Sequence, residues 1–258
     1  MIRLKSKKDI ANLREAGKIH DKILDLLGQK CLAGHTTNDI NEEAGRLMKD
    51  AGVEPAFFGY KPKGAPRPFP AFVCVSVNEE IVHGIPNEKP RELQRGDLVS
   101  IDIGLSYQGI ITDAAKTFCV GECSKENNEL NWATREALWS GIEAVKPGGH
   151  IGDIGYAIYN FVRKTPFSTV RYLCGHGVGY DVHEDPFVPN VDRKGNGPVL
   201  EEGLVIAIEP MLTTGSGDIT PSDNGFTYLT KEKTPSAHWE HTVVVTDKGV
   251  EVLTGSGN

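Results

Sequence analysis

Four segments of the chain repeat apolar residues with the three- and four-residue spacing of an amphipathic helix. The first segment follows Ser6, a residue typical of helix N-caps, and the second follows a threonine at 36 or 37 and ends at Gly52. The third segment ends at the Pro-Gly-Gly stretch 147–149, and the fourth covers 154–162. The first two segments carry no pattern of reactive side chains, so we interpret them as packing helices.

Between the second and third helices, residues 96–120 have the pattern of a β-hairpin. Apolar residues alternate with small or polar residues from Leu98 to Leu105, and a second apolar stretch returns from Ile110 to Val120. The four residues between these stretches, 106–109, include a glycine and are typical of a turn. Further strands are predicted at 72–77, 204–210 and 238–246.

The hairpin places two acidic residues in apolar surroundings. If Tyr107 and Gln108 are the two turn residues, Asp102 lies directly opposite Asp113. Such cross-strand neighbours are about 5 Å apart, and like charges there are destabilising. An unpaired buried charge costs several kcal/mol, and Lys116 is the one Lys or Arg at a neighbouring position of either strand. The pattern therefore predicts a bound cation, with a metal ion as the leading candidate.

The second half of the sequence repeats the order of the first. Each half contains two helices, a His-x-x-Pro motif, an acid in an apolar strand and an acid in a returning strand. This distant duplication favours one α+β domain over residues 1–258, made of two halves at about 1–120 and 121–258. Two such halves would face each other across a pseudo-twofold centre. The matching pairs are His83 with His183, Asp102 with Glu209 and Asp113 with Glu240.

Four carboxylates and one histidine form the predicted metal-ligand set. His176 lies in the glycine-rich stretch 174–179, where the backbone can approach closely. Four carboxylates balance the charge of two divalent ions, and oxygen-rich ligands with one imidazole suit manganese, iron, cobalt or zinc rather than a thiolate zinc site. Two such ions would acidify a shared water, which is hydrolase chemistry. The set is Asp102, Asp113, His176, Glu209 and Glu240.

Composition narrows the classes of partner. The 258 residues are 39% hydrophobic and 24% charged, and the net charge of -7 argues against nucleic acid or an anionic membrane as the primary partner. No apolar run approaches the ~20 residues of a membrane span, and no targeting segment is recognised. The five scattered cysteines suggest neither a disulfide framework nor, for Cys119 and Cys123, a zinc knuckle. We therefore expect a reducing, cytoplasmic location.

Five motifs, in their order and spacing, resemble the bacterial type I methionine aminopeptidases of the pita-bread fold. The resemblance covers nearly the whole chain and implies a curved antiparallel sheet with two related halves. It also implies metal-dependent removal of the initiator methionine from new chains whose second residue is small. The motifs are IVHGIP, SIDIGLSYQGIITDAAKTF, CGHGVGYDVHEDP, AIEPML and SAHWEHTVVVT.

The resemblance assigns a role to each candidate residue. Asp113 and Glu240 would bridge two divalent ions (cobalt, manganese, iron or zinc), Asp102 would hold one ion, and His176 and Glu209 the other. Glu209 would also handle the proton of the attacking water. His183 would stabilise the tetrahedral intermediate, and His83 would contact the scissile nitrogen and help it leave.

The same resemblance predicts the methionine pocket and shows where this chain departs from the family. Phe57, Val182, Phe226 and His238 stand where a small Cys, a Phe, a Trp and a Gln are usual, so the pocket is expected to be reshaped at constant volume. The loop 61–68 is longer than in the family, and we hypothesise that it forms a rim over the pocket. The expected lining is Tyr60, Phe69, Cys74, His83 and Phe226, together with Phe57, Val182 and His183.

Two alternatives stay open from the sequence. Enzymes similar to Xaa-Pro aminopeptidase or prolidase share the five ligands but generally carry a large N-terminal domain. A non-catalytic pita-bread binding protein would usually have lost ligands, whereas all five are present here. The expected partners are the N-terminal methionine of nascent chains and, transiently, the ribosome, and we expect a monomer.

Overall fold

The computed structural model describes residues 1–62 and 64–255, and within them four helices pack on antiparallel sheets. Helix α1 begins after Ser6, whose side chain accepts a hydrogen bond from the Asp9 N–H, and α2 begins after Thr36 in the same way. Gly52 ends α2 with a left-handed φ of 67°. These caps confirm the predicted helix starts. The helices are α1 (Lys7–Gly28), α2 (Thr37–Ala51), α3 (Lys125–Glu143) and α4 (Ile151–Val162).

A nine-stranded antiparallel sheet forms the centre of the fold. Its order is β1-β4-β5-β14-β9-β7-β8, with β2 also paired to β4 and β15 to β14, and two three-stranded sheets flank it. The strands are β1 (Glu54–Pro55), β2 (Cys74–Val77), β3 (Glu80–Val82), β4 (Leu98–Tyr107), β5 (Ile110–Cys119), β6 (Ser168–Thr169), β7 (Cys174–Gly177), β8 (Glu184–Pro189), β9 (Val205–Ile208), β10 (Met211–Thr213), β11 (Ile219–Pro221), β12 (Tyr228–Thr230), β13 (Ser236–His238), β14 (Glu240–Thr246) and β15 (Gly249–Val252).

The predicted register of the β4–β5 hairpin is wrong by two residues. The turn residues are Gln108 and Gly109, with φ of 52° and 78°, which is the backbone that a two-residue hairpin loop of type I′ requires. Asp102 therefore pairs with Ala115 rather than with Asp113, which pairs with Gly104. A shift of two residues keeps each side chain on its face of the sheet, so both aspartates still point the same way.

Two large apolar clusters stabilise the fold. One joins α1 and α2 to the strands of the first half, and the other joins α3 and α4 mainly to strands of the second half. Leu27 and Leu138, both with no exposed surface, are representative of the two clusters. Each pair of helices thus covers its own part of the sheet. The division into two related halves within one domain stays a prediction.

Two side-chain contacts correct the expectations for the hairpin. The lysine beside the acids, Lys116, pairs with Asp21 and Asp25 at 2.9 and 2.8 Å and provides no charge for the two aspartates. Cys119 and Cys123 form a disulfide, contrary to the expectation from the scattered cysteines. Their Cα atoms lie 5.9 Å apart because the chain turns back at the end of β5.

Among the residues that the structure describes, no helix combines the length and apolarity needed to cross a membrane.

Candidate metal centre

Neighbouring strands bring two of the predicted ligands to either side of one small residue. Asp102 on β4 and Glu240 on β14 both pair with Ala115 on β5. On the far side of Asp102 lies Cys74 of β2, its partner in the same row. Directly opposed residues project from the same face of a sheet, so the two carboxylates flank the space above the alanine methyl group. The short side chain of Ala115 leaves that space open.

A second row of the sheet positions the other three predicted ligands. His176 on β7 pairs with Ala207 on β9, which pairs with Thr242 on β14. The Thr242 hydroxyl accepts from the Asp113 N–H at 2.9 Å and donates to the Asp113 carbonyl at 2.7 Å, which joins β5 to this row. Glu209 follows two residues after Ala207, and the period of two in a strand keeps it on the same face.

The five predicted ligands converge into one buried cluster. His176 Nε2 lies 3.5 Å from Glu209 Oε1 and 3.9 Å from Asp113 Oδ2. Ligand atoms of Asp113, His176 and Glu240 all lie within 4.8 Å of one another. His176 Nδ1 is 2.9 Å from the Gly177 carbonyl, to which it can only donate. With Nδ1 donating to this carbonyl, Nε2 is the ring nitrogen that faces the carboxylates.

Two further histidines border the cluster. The ring of His183 lies 4.4 Å from that of His176, centroid to centroid, and its Nδ1 is 3.0 Å from the Tyr60 hydroxyl. When that hydroxyl donates to Nδ1, the His183 proton is on Nε2, where it is free to donate. His83 has a left-handed φ of 58°, and its carbonyl accepts from the Thr227 hydroxyl. Burial lowers the pKa of His183 to about 3 and that of His83 to about 4, so both rings are neutral near pH 7.

An apolar pocket opens beside the cluster. Phe57, Phe69, Cys74 and Val182 are buried together, and Phe69 packs edge-on against Phe226 with ring centroids 5.3 Å apart. All of these except Val182 line a cavity of about 80 Å³, which Tyr60, His83 and His183 also border. Val182 packs within the wall and does not reach the cavity.

The comparison with known proteins identifies the family. A model described as "Metallopeptidase family M24" matches residues 11–247. The chain belongs to this metallopeptidase family. "Methionine aminopeptidase B" of Synechocystis is 41% identical over 251 residues, which cover 97% of this chain and 91% of that protein. Family M24 therefore accounts for nearly the whole sequence.

Solved structures of similar proteins share the fold. The methionine aminopeptidase of Thermotoga maritima superposes with a TM-score of 0.94 at 38% identity, covering 99% of this chain and 100% of that one. The prolidase of Pyrococcus horikoshii gives a TM-score of 0.76 at 25% identity, covering 99% of this chain and 64% of that one. The resemblance drawn from the motifs, the α+β class and the pita-bread fold are thereby confirmed.

The buried acids fit the divalent metal that a family M24 metallopeptidase binds. Burial raises the pKa of Asp102 and Glu209 to about 7, and burial with neighbouring carboxylates raises those of Asp113 and Glu240 well above their usual values. One oxygen each of Asp102, Asp113 and Glu240 is buried with no hydrogen-bond partner among the described residues. Such oxygens favour a cation, because four buried carboxylates cannot ionise together without positive charge.

Sequence reasoning missed one member of the cluster. The resemblance marks His238 only as a departure from the family, yet its Nε2 lies 3.5 Å from Glu209 Oε2 and 3.9 Å from Glu240 Oε2. Alternation along the predicted strand 238–246 would place residues 238 and 240 on one face. In the structure they belong to two successive strands, β13 and β14, and come together at the cluster. His238 is therefore a neighbour of the candidate ligands rather than of the apolar pocket, whose lining does not include it.

The long loop at 61–68 packs beside the pocket in its described part. Pro62 lines the cavity, and the Arg67 guanidinium lies 5.5 Å from the centroid of the Phe226 ring. Both oxygens of Glu88 accept from Arg67, at 2.5 and 2.7 Å, and hold the guanidinium in place. Lys63, within the proposed rim, lies outside the described residues. The contacts of Pro62 and Arg67 support the rim hypothesis.

Proposed function

We propose that this chain removes the N-terminal methionine from polypeptides whose second residue is small, by metal-dependent hydrolysis. The observation that carries the proposal is the cluster of four carboxylates and His176 beside an apolar cavity, in which Glu209 alone is partly exposed and the others are buried. Proteins named methionine aminopeptidase match 97% or more of the chain at about 40% identity, which supports the substrate assignment.

The five cluster residues would hold two divalent ions, chosen among cobalt, manganese, iron and zinc. Bound there, the metal supplies an acidified water as nucleophile near neutral pH. His176 presents the Nε2 lone pair, since its Nδ1 donates to a carbonyl. Glu209 lies at the edge of the cluster, and we assign it the role of accepting the proton of the attacking water.

The two bordering histidines act on the substrate rather than on the metal. His183 can donate from Nε2 while Tyr60 occupies its Nδ1, so it would stabilise the oxyanion of the tetrahedral intermediate. His83 also lines the cavity and would contact the scissile nitrogen as it leaves. Because burial keeps both imidazoles neutral, each can donate a hydrogen bond without adding positive charge near the metal.

The methionine side chain would occupy the apolar cavity. Its walls are aromatic rings and the Cys74 thiol, which suit a flexible thioether. The Phe57 ring packs directly on Gly104, so closely that a Cβ at position 104 would lie 2.4 Å from the ring. The smaller Val182 packs in the same wall. These two side chains support the predicted reshaping of the pocket, in which position 57 has a larger side chain and position 182 a smaller one than is usual in the family.

The test is hydrolysis of Met-Ala-Ser, Met-Lys-Ser and Ala-Pro-Ala by the chelated protein before and after manganese, cobalt, iron or zinc is restored. We expect metal-dependent cleavage of Met-Ala-Ser alone. Cleavage of Ala-Pro-Ala instead would assign the chain to the proline-specific branch. Bound metal without cleavage of any peptide would favour the non-catalytic binding protein.

The cellular context follows from the same proposal. Nascent chains at the ribosome would be the substrates, the location would be the cytoplasm and the protein would act as a monomer. Sedimentation at micromolar concentration tests the monomer, and co-sedimentation with ribosomes tests the transient contact. A stable dimer would contradict this part of the proposal without affecting the assigned chemistry.

A further inference from the structure

A buried carboxylate next to His183 organises the turn that carries this histidine. Glu184 Oε1 accepts from the Tyr180 N–H at 2.5 Å and from the Asp181 N–H at 3.0 Å. Its Oε2 accepts from Lys5 Nζ at 2.7 Å, and both of these side chains are 1% exposed. Glu184 does not line the cavity. Its hydrogen bonds therefore shape the turn rather than contact the substrate.

The first six residues, here called the N-terminal arm, supply the charge that Glu184 needs. Lys5 Nζ also donates to the Arg3 carbonyl at 3.1 Å and lies 4.8 Å from the centroid of the Tyr180 ring. The Arg3 guanidinium pairs with Asp181 and lies 3.3 Å from Glu184 Oε1. A buried ion pair of this kind is costly to break from one side, because the remaining charge is left without a partner.

The backbone of the turn is built around the lysine. The Lys5 N–H donates to the Gly203 carbonyl at 2.8 Å, which ties the arm to the body of the protein. Gly179, with a φ of 137°, passes so near the lysine that a Cβ there would lie 2.4 Å from Lys5 Cε. The Ile111 N–H donates to the Gly179 carbonyl at 2.7 Å. The turn is thus held between the arm and β5.

We propose that Lys5 and Glu184 are positioning residues that set the place of the His183 imidazole. His183 and Glu184 are adjacent in the chain, and the ring of His183 is fitted between Tyr60 and His176. Loss of the ion pair lets the turn relax and moves His183 Nε2 away from the place where the oxyanion develops. The inference rests on the proposed function, since it concerns the step assigned to His183.

The experiment measures kcat, KM and metal content for Glu184→Gln and Lys5→Met, each made in the wild type and in His183→Ala. In the wild type we expect kcat on Met-Ala-Ser to fall about 10- to 100-fold, with KM and metal content little changed, because displacement of about 1 Å can cost this much. In His183→Ala the same changes should lower kcat by no more than about two-fold, since residues that act as a unit are not additive.

A matched control separates positioning from general stability. Lys116→Met breaks another lysine–carboxylate contact, to Asp21 and Asp25, and should lower the melting temperature without the loss of kcat. Arg3→Ala changes the exposed end of the arm and carries little risk to folding. It should lower kcat about three-fold, and only where His183 is present.

Equal falls in kcat in both backgrounds would overturn the inference, because they would show that the ion pair acts without His183. Loss of metal in Glu184→Gln would also overturn it. Failure of the proposed function gives a different result from failure of this inference, because the metal-loaded wild type would then not cleave Met-Ala-Ser at all.

Discussion

His238 Nε2 lies 3.5 Å from Glu209 Oε2, and this ring nitrogen has no hydrogen-bond partner among the described residues. His176 Nε2 lies at the same distance, 3.5 Å, from the other oxygen of this carboxylate. Glu209 is thus flanked by two imidazoles. Burial lowers the pKa of His238 to about 4, so the ring is neutral near pH 7 and can donate one hydrogen bond.

From this relationship we expect His238→Ala to weaken catalysis and His238→Gln to preserve most of it. At 3.5 Å the contact is longer than an ordinary hydrogen bond. A full hydrogen bond to a charged group contributes about 1.5–3 kcal/mol, so the alanine variant should lose at most about 100-fold in kcat/KM. The glutamine amide can donate to the same oxygen. Kinetics with calorimetric titration of manganese measures the effect. Wild-type activity in His238→Ala would show that Glu209 needs no such donor.

Substitutions of His83 and of Asp113 should differ in their effect on metal content. Asp113→Asn removes a carboxylate from the cluster, and we expect it to lose both metal and activity. His83→Ala should retain wild-type metal content while kcat falls, by about 10²- to 10⁴-fold for a group that assists proton transfer. Elemental analysis of the purified proteins, beside the peptide assay, measures both quantities. Equal metal loss in the two variants would contradict the division between ligand and substrate-contacting residue.

Arg67 should influence substrate affinity more than turnover. Its guanidinium lies over the Phe226 ring and is held by Glu88, so Arg67→Ala would loosen one wall of the pocket. A cation–π contact contributes about 0.5–2 kcal/mol, and we expect KM for Met-Ala-Ser to rise about 2- to 30-fold with kcat little changed.

Arg46→Ala is the matched control, because Arg46 pairs with Glu43 and Asp50 on the surface of α2. Deletion of 63–67 tests the rim as a whole. An unchanged KM in both the deletion and Arg67→Ala would refute the rim.

Metal removal should destabilise the protein in a pH-dependent way. Burial raises the pKa of Asp102 and Glu209 to about 7, so in the metal-free protein they bind protons more tightly than in the unfolded chain. Their contribution to stability is complete below the unfolded pKa of about 4 and is lost as the pH rises through about 7. The buried histidines, whose pKa is lowered to about 3–4, add stability as the pH rises to their unfolded pKa of about 6.5 and oppose this loss below it. The metal-free protein should therefore melt at lower temperature as the pH rises above about 6.5.

Metal should reverse this trend, because its ligands must be ionised. Manganese at one fixed concentration, about 100 times its Kd at pH 7.5, adds about 2.7 kcal/mol at that pH, or about 5–10 °C in Tm for a chain of this length. Calorimetry at about pH 5.5, 6.5 and 7.5 should show a metal-induced gain that grows with pH, and Asp113→Asn should show little gain. A gain independent of pH would contradict the assignment of buried carboxylate ligands.

The sequence by itself determined the local elements and the sheet face on which the two aspartates lie. Helix caps at Ser6 and Thr36 depend on residues three positions away, so the local pattern suffices to predict them. Strand alternation places Asp102 and Asp113 on one face whichever turn is chosen, because the two registers differ by two residues. The repeated order of acids, together with His176, supplied the predicted ligand set, and the resemblance carried by the five motifs supplied the family.

Only the tertiary structure decided which distant groups meet. The hairpin register depends on positive φ values at Gln108 and Gly109, and the Cys119–Cys123 bond depends on where the chain turns back after β5. The approach of His238 to Glu209 and of Lys5 to Glu184 requires strands and loops far apart in sequence to pack together. Periodicity reports which face a side chain occupies, whereas such contacts depend on how the sheet is assembled and what packs against it.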